Sequence, residues 1–185
     1  MHLSLRPIDY QSVSDLNLLV KWFNDPELRS MYMGRKDEAH IPPLETIESI
    51  KNHRLNRDPA FEPLGEWMII ADQVPVGEVS LILNPPHKRS RGEKVVWPSI
   101  AIGEKSYLRK GIATWVIGQI LLEGKKVSAT HVEAGIYEFN LPMRKLIQKI
   151  GFKEIARIEN FTWFEGRKWA DVRYEMALNE LPLAL

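Results

Sequence analysis

The chain has 185 residues, 44% of them hydrophobic and 26% charged, which suits one folded domain with enough apolar material for a core. Lys and Arg total 25 against 24 Asp and Glu, so the chain lacks a strongly basic surface, and neither a nucleic-acid nor a membrane partner is expected. Cysteine is absent, which removes disulfides, thiolate metal sites and a cysteine nucleophile.

Met1 to Tyr10 alternates like a strand and lacks the apolar core of a signal peptide. No stretch approaches the roughly 18 apolar residues of a membrane span, so a cytoplasmic protein is the expectation. Leu3 and Leu5 alternate with polar neighbours, predicting a first strand that ends at Pro7. Ser14 suits the N-cap of a helix carrying Leu16, Leu19, Val20 and Phe23. Asn24-Asp25-Pro26 stops that helix, because the residue before proline is pushed out of helical geometry. A second helix is expected after Pro42-Pro43, with Leu44, Ile47 and Ile50 on one side; the polar stretch Met31 to Ile41 reads as a mobile connection.

Residues 67–71 and 76–83 flank the turn Asp72-Gln73-Val74-Pro75 as a hairpin. A loop with Pro85-Pro86 follows, then a strand from about Val95 to Ile102. Gly111 to Gly124 is expected as a helix with Ala113, Val116, Ile117, Ile120 and Leu121 inward. A strand over Thr130 to Tyr137 precedes a helix over Leu141 to Ile150, which exits through Gly151. Strands at about Lys153–Phe164 and Lys168–Leu178 turn around Glu165-Gly166-Arg167. The short early connections imply antiparallel pairing, and the unit from Val95 to Tyr137 implies a right-handed parallel crossover. No repeat or linker divides the chain, so one mixed α/β domain over residues 1–185 is expected.

The stretch with chemical content runs from Ile100 to Thr114: a strand, a basic turn at Arg109-Lys110, then Gly111-Ile112-Ala113 opening a helix. The first turn of a helix leaves N–H groups without partners and a partial positive charge, which attracts phosphate. Small Gly111 and Ala113 let an anion approach the main chain, and Arg109 and Lys110 add countercharge. Glycine before a helix also meets a plain turn requirement, and basic loop residues are often only solvated. The segment is neither a Walker loop nor a dinucleotide fingerprint.

Strand, basic Gly-x-Ala helix, strand, Asn140, short helix and Gly151-Phe152 together resemble the GNAT N-acetyltransferase superfamily. The carrying motifs are Leu108-Arg109-Lys110-Gly111-Ile112-Ala113, similar to the family's Gln/Arg-x-x-Gly-x-Gly/Ala loop, and Asn140 through Lys149-Ile150-Gly151-Phe152. Leu5-Arg6-Pro7, Trp22 to Pro26, Pro75-Val76-Gly77 and Glu165 to Asp171 look like its RimJ/RimL-type branch. The resemblance implies a central mixed, mostly antiparallel sheet of about seven strands with helices on both faces. It implies acetyl-coenzyme A as acyl donor, no metal, and a small-molecule or peptide amine as acceptor; a homodimer is compatible with it. Leu108 departs from the loop's usual Gln or Arg. Met143 stands where the branch commonly has serine, and Ile147 where other branches carry a tyrosine associated with protonating the leaving thiolate.

On that resemblance, Leu108, Arg109, Lys110, Gly111, Ile112, Ala113 and Thr114 hold the pyrophosphate, while the edge at Ile100, Ala101 and Ile102 pairs with the pantetheine amides as an added strand would. Asn140 hydrogen-bonds the arm, a role compatible with capping the helix that follows. The amine needs a base. Glu78, in an otherwise apolar strand, is the candidate, with a structural ion pair as the alternative. Glu133 and Glu104 are rivals, and Tyr137 and Tyr174 are either proton donors or packing.

His2, His40, His53, His87 and His131 show no paired metal spacing. Trp67 and Trp115 are expected in the core, and Trp22, Trp97, Trp163 and Trp169 either border the acceptor pocket or pack in the core. The basic run His87 to Arg91 reads as a solvated loop, and Asp37, Glu38, Glu45 and Glu48 either attract a cationic amine or serve capping. A rival function is an acyl-coenzyme A sensor without turnover; a third is an unrelated nucleotide-binding module.

Overall fold

Four strands pair in chain order. A computed structural model, which describes residues 1–180, places β1 (Leu3–Pro7), β2 (Pro63–Ala71), β3 (Val74–Leu83) and β4 (Val95–Ile102) side by side and antiparallel. β5 (His131–Tyr137) joins β4 in parallel, and β6 (Lys153–Phe164) and β7 (Arg167–Ala177) complete a seven-stranded sheet, β1-β2-β3-β4-β5-β7-β6. This is the mostly antiparallel mixed sheet that was expected. Residues 181–185 of the expected domain lie outside the described residues.

The helices are α1 (Val13–Phe23), α2 (Pro26–Tyr32), α3 (Ile47–Leu55), α4 (Ile112–Lys126) and α5 (Leu141–Ile150). Strand alternation assigns them to faces. Met68 packs with Leu16, Leu19, Trp22 and Ile50 of α1 and α3, while its neighbour Ile69 joins Val116, Ile120, Ile147 and Ile150 of α4 and α5. Both faces are thereby covered, as expected.

The β2–β3 turn has Asp72 and Gln73 at φ 47 and 71, the two left-handed positions that a tight hairpin matching sheet twist requires. Beyond it the β2–β3 register shifts, leaving Val76 bulged between Pro75 and Gly77. The freed Val76 carbonyl accepts from Gly103 N at 2.8 Å and Glu104 N at 3.0 Å, so the bulge fastens the end of β4. At Gly77 a Cβ would lie 2.1 Å from the Ala101 carbonyl oxygen, so only glycine lets the two backbones approach this closely.

Several expected boundaries move. Ser12, not Ser14, caps α1. Asp25 accepts from Glu27 N and Leu28 N and Pro26 opens α2, so the tripeptide that ends one helix starts the next. α3 begins at Ile47 because Thr46 and Ser49 form a reciprocal capping box. The rest of the expected mobile connection is tied down: Trp163 N donates to Arg35 O at 2.8 Å and Arg35 N to Thr162 Oγ1 at 3.0 Å.

Candidate active site

β4 and β5 pair only at Val95–His131 and Val96–Val132. Each remains paired on its other side, β4 with β3 as far as Ile102 and β5 with β7 as far as Tyr137. Past Val96 and Val132 the facing edges part, opening a slot along the stretch that carries Ile100, Ala101 and Ile102. An unpaired strand edge offers a row of amide donors and acceptors to an extended ligand.

The slot's mouth leads to the N-terminus of α4. A 3-10 turn over Lys105–Tyr107 is followed by Leu108, 44% exposed, and then by Arg109 and Gly111 in left-handed geometry at φ 61 and 80. Gly111 is the N-cap and makes no side-chain cap, so the first-turn N–H groups of Ile112, Ala113 and Thr114 keep their capacity to donate. Among the described residues, no atom beyond Gly111's own chain neighbours and helix backbone lies within 4 Å of the position a Gly111 Cβ would take, which leaves the approach open. Lys110 rests over the Tyr107 ring at 4.9 Å. This open, basic, donor-rich turn suits a pyrophosphate. Asn140 caps α5, accepting from Met143 N at 3.3 Å, and its own N–H donates to Tyr137 O at 2.8 Å.

On the face covered by α1 and α3, a cavity of about 220 Å³ lies against β3 and β4, with Glu78, Ser80 and Ser99 among its lining. Glu78 is 6% exposed and pairs across the ladder with Ala101; burial pushes its carboxyl up to about 8. Glu66, in the same lining, accepts from Arg57 Nη2 at 2.8 Å and Arg54 Nη1 at 3.1 Å, which leaves Arg57 Nη1 as a buried donor without a hydrogen-bond partner. Glu45 also lines the cavity; its carboxylate accepts from Ser49 Oγ at 2.5 Å and stands 3.8 Å from His53 Nδ1. Tyr10, Ser80, Ser99 and Arg57 carried no periodic or motif signal that could have singled them out.

The rival acids are engaged elsewhere. Glu133, fully buried, accepts from Arg89 N, Ser90 N and Arg173 Nη1, locking the β3–β4 connection onto β5. The basic run His87 to Arg91 is thus a folded loop held by its backbone. Glu104 accepts from Lys21 Nζ at 2.6 Å and Trp22 Nε1 at 2.8 Å, and those hydrogen bonds lower its pKa. It anchors α1 to the end of β4. Trp22, 1% exposed, is core and does not border the cavity described above. Tyr174 is fully buried and accepts from Arg144 Nε at 2.8 Å, a packing role. Tyr137 ends β5 on the cavity-side face, where burial, with Asp171 adding to it, pushes its phenol up to about 12. Ile147 is 1% exposed and Met143 packs on the larger core, so neither brings an acid to the slot. Among the described residues no group of three or more His, Cys, Asp or Glu could hold a metal, and no helix is long and apolar enough to cross a membrane.

The acetyltransferase (GNAT) domain model matches residues 2–153, and the chain belongs to that family. No curated protein sequence matches it. Its fold is similar to that of spermidine N-acetyltransferase from Vibrio cholerae, solved with CoA and spermine, at a TM-score of 0.75 and 18% identity over 96% of each chain. An N-acetyltransferase from Staphylococcus aureus Mu50 aligns at a TM-score of 0.69 and 18% identity, covering 96% of this chain and 99% of the other. yncA of Salmonella typhimurium, solved with acetyl-CoA, aligns at a TM-score of 0.69 and 15% identity over 100% of both chains.

Proposed function

We propose that this chain, a member of the RimJ/RimL-type branch, transfers acetyl from acetyl-coenzyme A directly to a primary amine, either a small molecule or a protein N-terminus. The observation that carries the reading is the parting of β4 and β5 after two residue pairs, beside the uncapped start of α4. Acetyl-coenzyme A supplies the activated acetyl as a thioester. The N–H groups of Ile112, Ala113 and Thr114, with Arg109 and Lys110, hold its pyrophosphate, and Leu108 and Gly111 shape the turn. The edge at Ile100, Ala101 and Ile102 pairs with the pantetheine arm and offers an amide hydrogen to the acyl oxygen as charge builds there. Asn140, which caps α5, also hydrogen-bonds the arm.

Glu78 acts as base at the wall of the acceptor cavity. The amine nitrogen bonds to the acyl carbon, the C–S bond breaks, the amine's proton passes to Glu78, and solvent protonates the departing thiolate. A raised carboxyl pKa makes Glu78 a stronger base once ionised. The absence of an acid at Met143 and Ile147 favours one second reading, an acyl-coenzyme A sensor that binds without turnover. Acetyl-CoA-dependent thiol release across a panel of amines and N-terminal peptides tests the proposal. Release with any acceptor is expected; tight CoA binding with no release supports the sensor.

A further inference from the structure

Trp97 is the first β4 residue past the last paired position, so it stands where the slot narrows to its inner end. Its side chain lies across the gap onto β5. A Cβ at Gly135 would meet Trp97 Cη2 at 2.8 Å and Asp171 Oδ1 at 2.9 Å, so the indole occupies a notch that only glycine provides. The ring is also held from two further sides. The Arg173 guanidinium sits 4.7 Å from its centroid, and the His87 ring meets it edge-on at 4.5 Å. Arg173 is itself fixed, donating to Asp171 at 2.8 Å and Glu133 at 3.3 Å within a buried cluster. A wide aromatic ring pinned by a buried ion network does not yield readily to a ligand.

We propose that Trp97 is the end-stop of the acyl slot and confines the transferred group to acetyl. The inference rests on the reading of the slot given above. A carrier whose phosphates sit at α4 enters from the Ile102 end and runs inward along β4. Five residues of strand, about 17 Å, separate the Ile102 and Trp97 backbones. The indole, however, leans back along the slot: its tip reaches Gly135, three residues past Val132 as Ser99 is three past Val96, one position short of the Ile100 edge that holds the acyl oxygen. The acyl group is the leading end of that arm, and each added methylene must enter space that the indole fills. The Glu133-Arg173-Asp171 cluster, which the transfer chemistry does not use, acts here as the support that keeps the stop rigid.

The test compares acetyl-, propionyl- and butyryl-CoA in the wild-type protein, Trp97→Ala and Trp97→Phe, read as kcat/KM with one amine and as equilibrium affinity. Wild-type protein should prefer acetyl over butyryl by about 100-fold or more, within the range a methylene or two can discriminate. Trp97→Ala should cut that preference at least about tenfold while still transferring acetyl, and Trp97→Phe should fall between. An unchanged acyl preference in folded Trp97→Ala overturns the proposal, as does a wild-type protein indifferent to chain length. If Trp97→Ala fails to fold, Trp97→Phe carries the same comparison. A wild-type protein without turnover that still binds acetyl-CoA more tightly than butyryl-CoA keeps the end-stop and loses the enzyme; equal affinities remove the end-stop. No binding of any acyl-CoA removes the slot reading and the end-stop with it.

Discussion

Asn24 and Glu45 clasp each other through paired hydrogen bonds: Asn24 Nδ2 donates to Glu45 O at 2.7 Å, and Glu45 N donates to Asn24 Oδ1 at 2.8 Å. Asn24 is the C-cap of α1, and Arg29 on α2 donates to the Pro42 and Pro43 carbonyls at 2.7 and 3.0 Å. The segment leading into α3 is therefore fixed by side chains of α1 and α2, and with it the Glu45 carboxylate in the cavity wall. Asn24→Ala should cost about 1–3 kcal/mol in chemical denaturation through lost bonds to a part-buried backbone. The acceptor KM should rise while the affinity for CoA stays within about twofold, since α4 is untouched.

With Glu78 as the proposed base, activity and stability should depend on pH in opposite directions. With its carboxyl at about 8, turnover should rise through that pH as the base ionises. Glu78→Gln should abolish that limb and lower kcat by about 100-fold or more with little change in CoA affinity. In the fold the sign reverses. A carboxyl whose folded pKa lies above its unfolded value binds more protons when folded, so its stabilisation is full below about 4.5 and lost as pH rises through about 8. Denaturation midpoints of wild-type protein should therefore fall over that window, and those of Glu78→Gln should fall less.

Gly111→Glu tests the cofactor turn. Space at that position is open, so a side chain meets no clash, but a left-handed φ of 80 and a carboxylate facing the pyrophosphate both oppose it. CoA affinity should drop at least about tenfold by calorimetry, against a fold cost of about 1 kcal/mol. Unchanged affinity in a folded variant would detach the turn from the donor.

Glu104→Gln separates a fastener from a base. Losing its charge weakens the bonds from Lys21 and Trp22, while Lys21 is 60% exposed and water can replace the ion pair. Melting temperature should fall by a few degrees and the pH profile of turnover should keep its wild-type shape. Loss of the rise in turnover with pH in Glu104→Gln would transfer the proposed catalytic role from Glu78 to Glu104.

The later half of the chain was readable because each element there carries a complete local signal. Inward Val116, Ile117, Ile120 and Leu121 keep helical spacing in α4, and Gly151 ends α5 at φ 118. Asp25-Pro26 misled because one dipeptide serves two helices, and propensity cannot tell a stop from a restart. The core alternation of β3 exposed Glu78 as an anomaly, whereas Glu133 gave no hint that distant Arg173, Arg89 and Ser90 would occupy it. The cavity beside Glu78 was the least legible part. Tyr10, Glu45, Arg57 and Ser99 meet only when α1, α3 and the sheet assemble, and no spacing along the chain records that meeting.

Two rungs between β4 and β5 leave the sheet as a four-stranded ribbon and a three-stranded ribbon, joined along that seam by little main-chain bonding. Cohesion across the seam rests instead on side chains: Val116 and Ile120 of α4 share one core with Val96 on one side and Val132 on the other, Glu133 holds the β3–β4 connection, and Trp97 reaches Gly135. A donor arm bonded to the β4 edge would act as a splint over the seam. Its occupancy should then slow amide exchange along β4 and β5 more than along β1 or β6, making the loaded molecule the stiffer of the two.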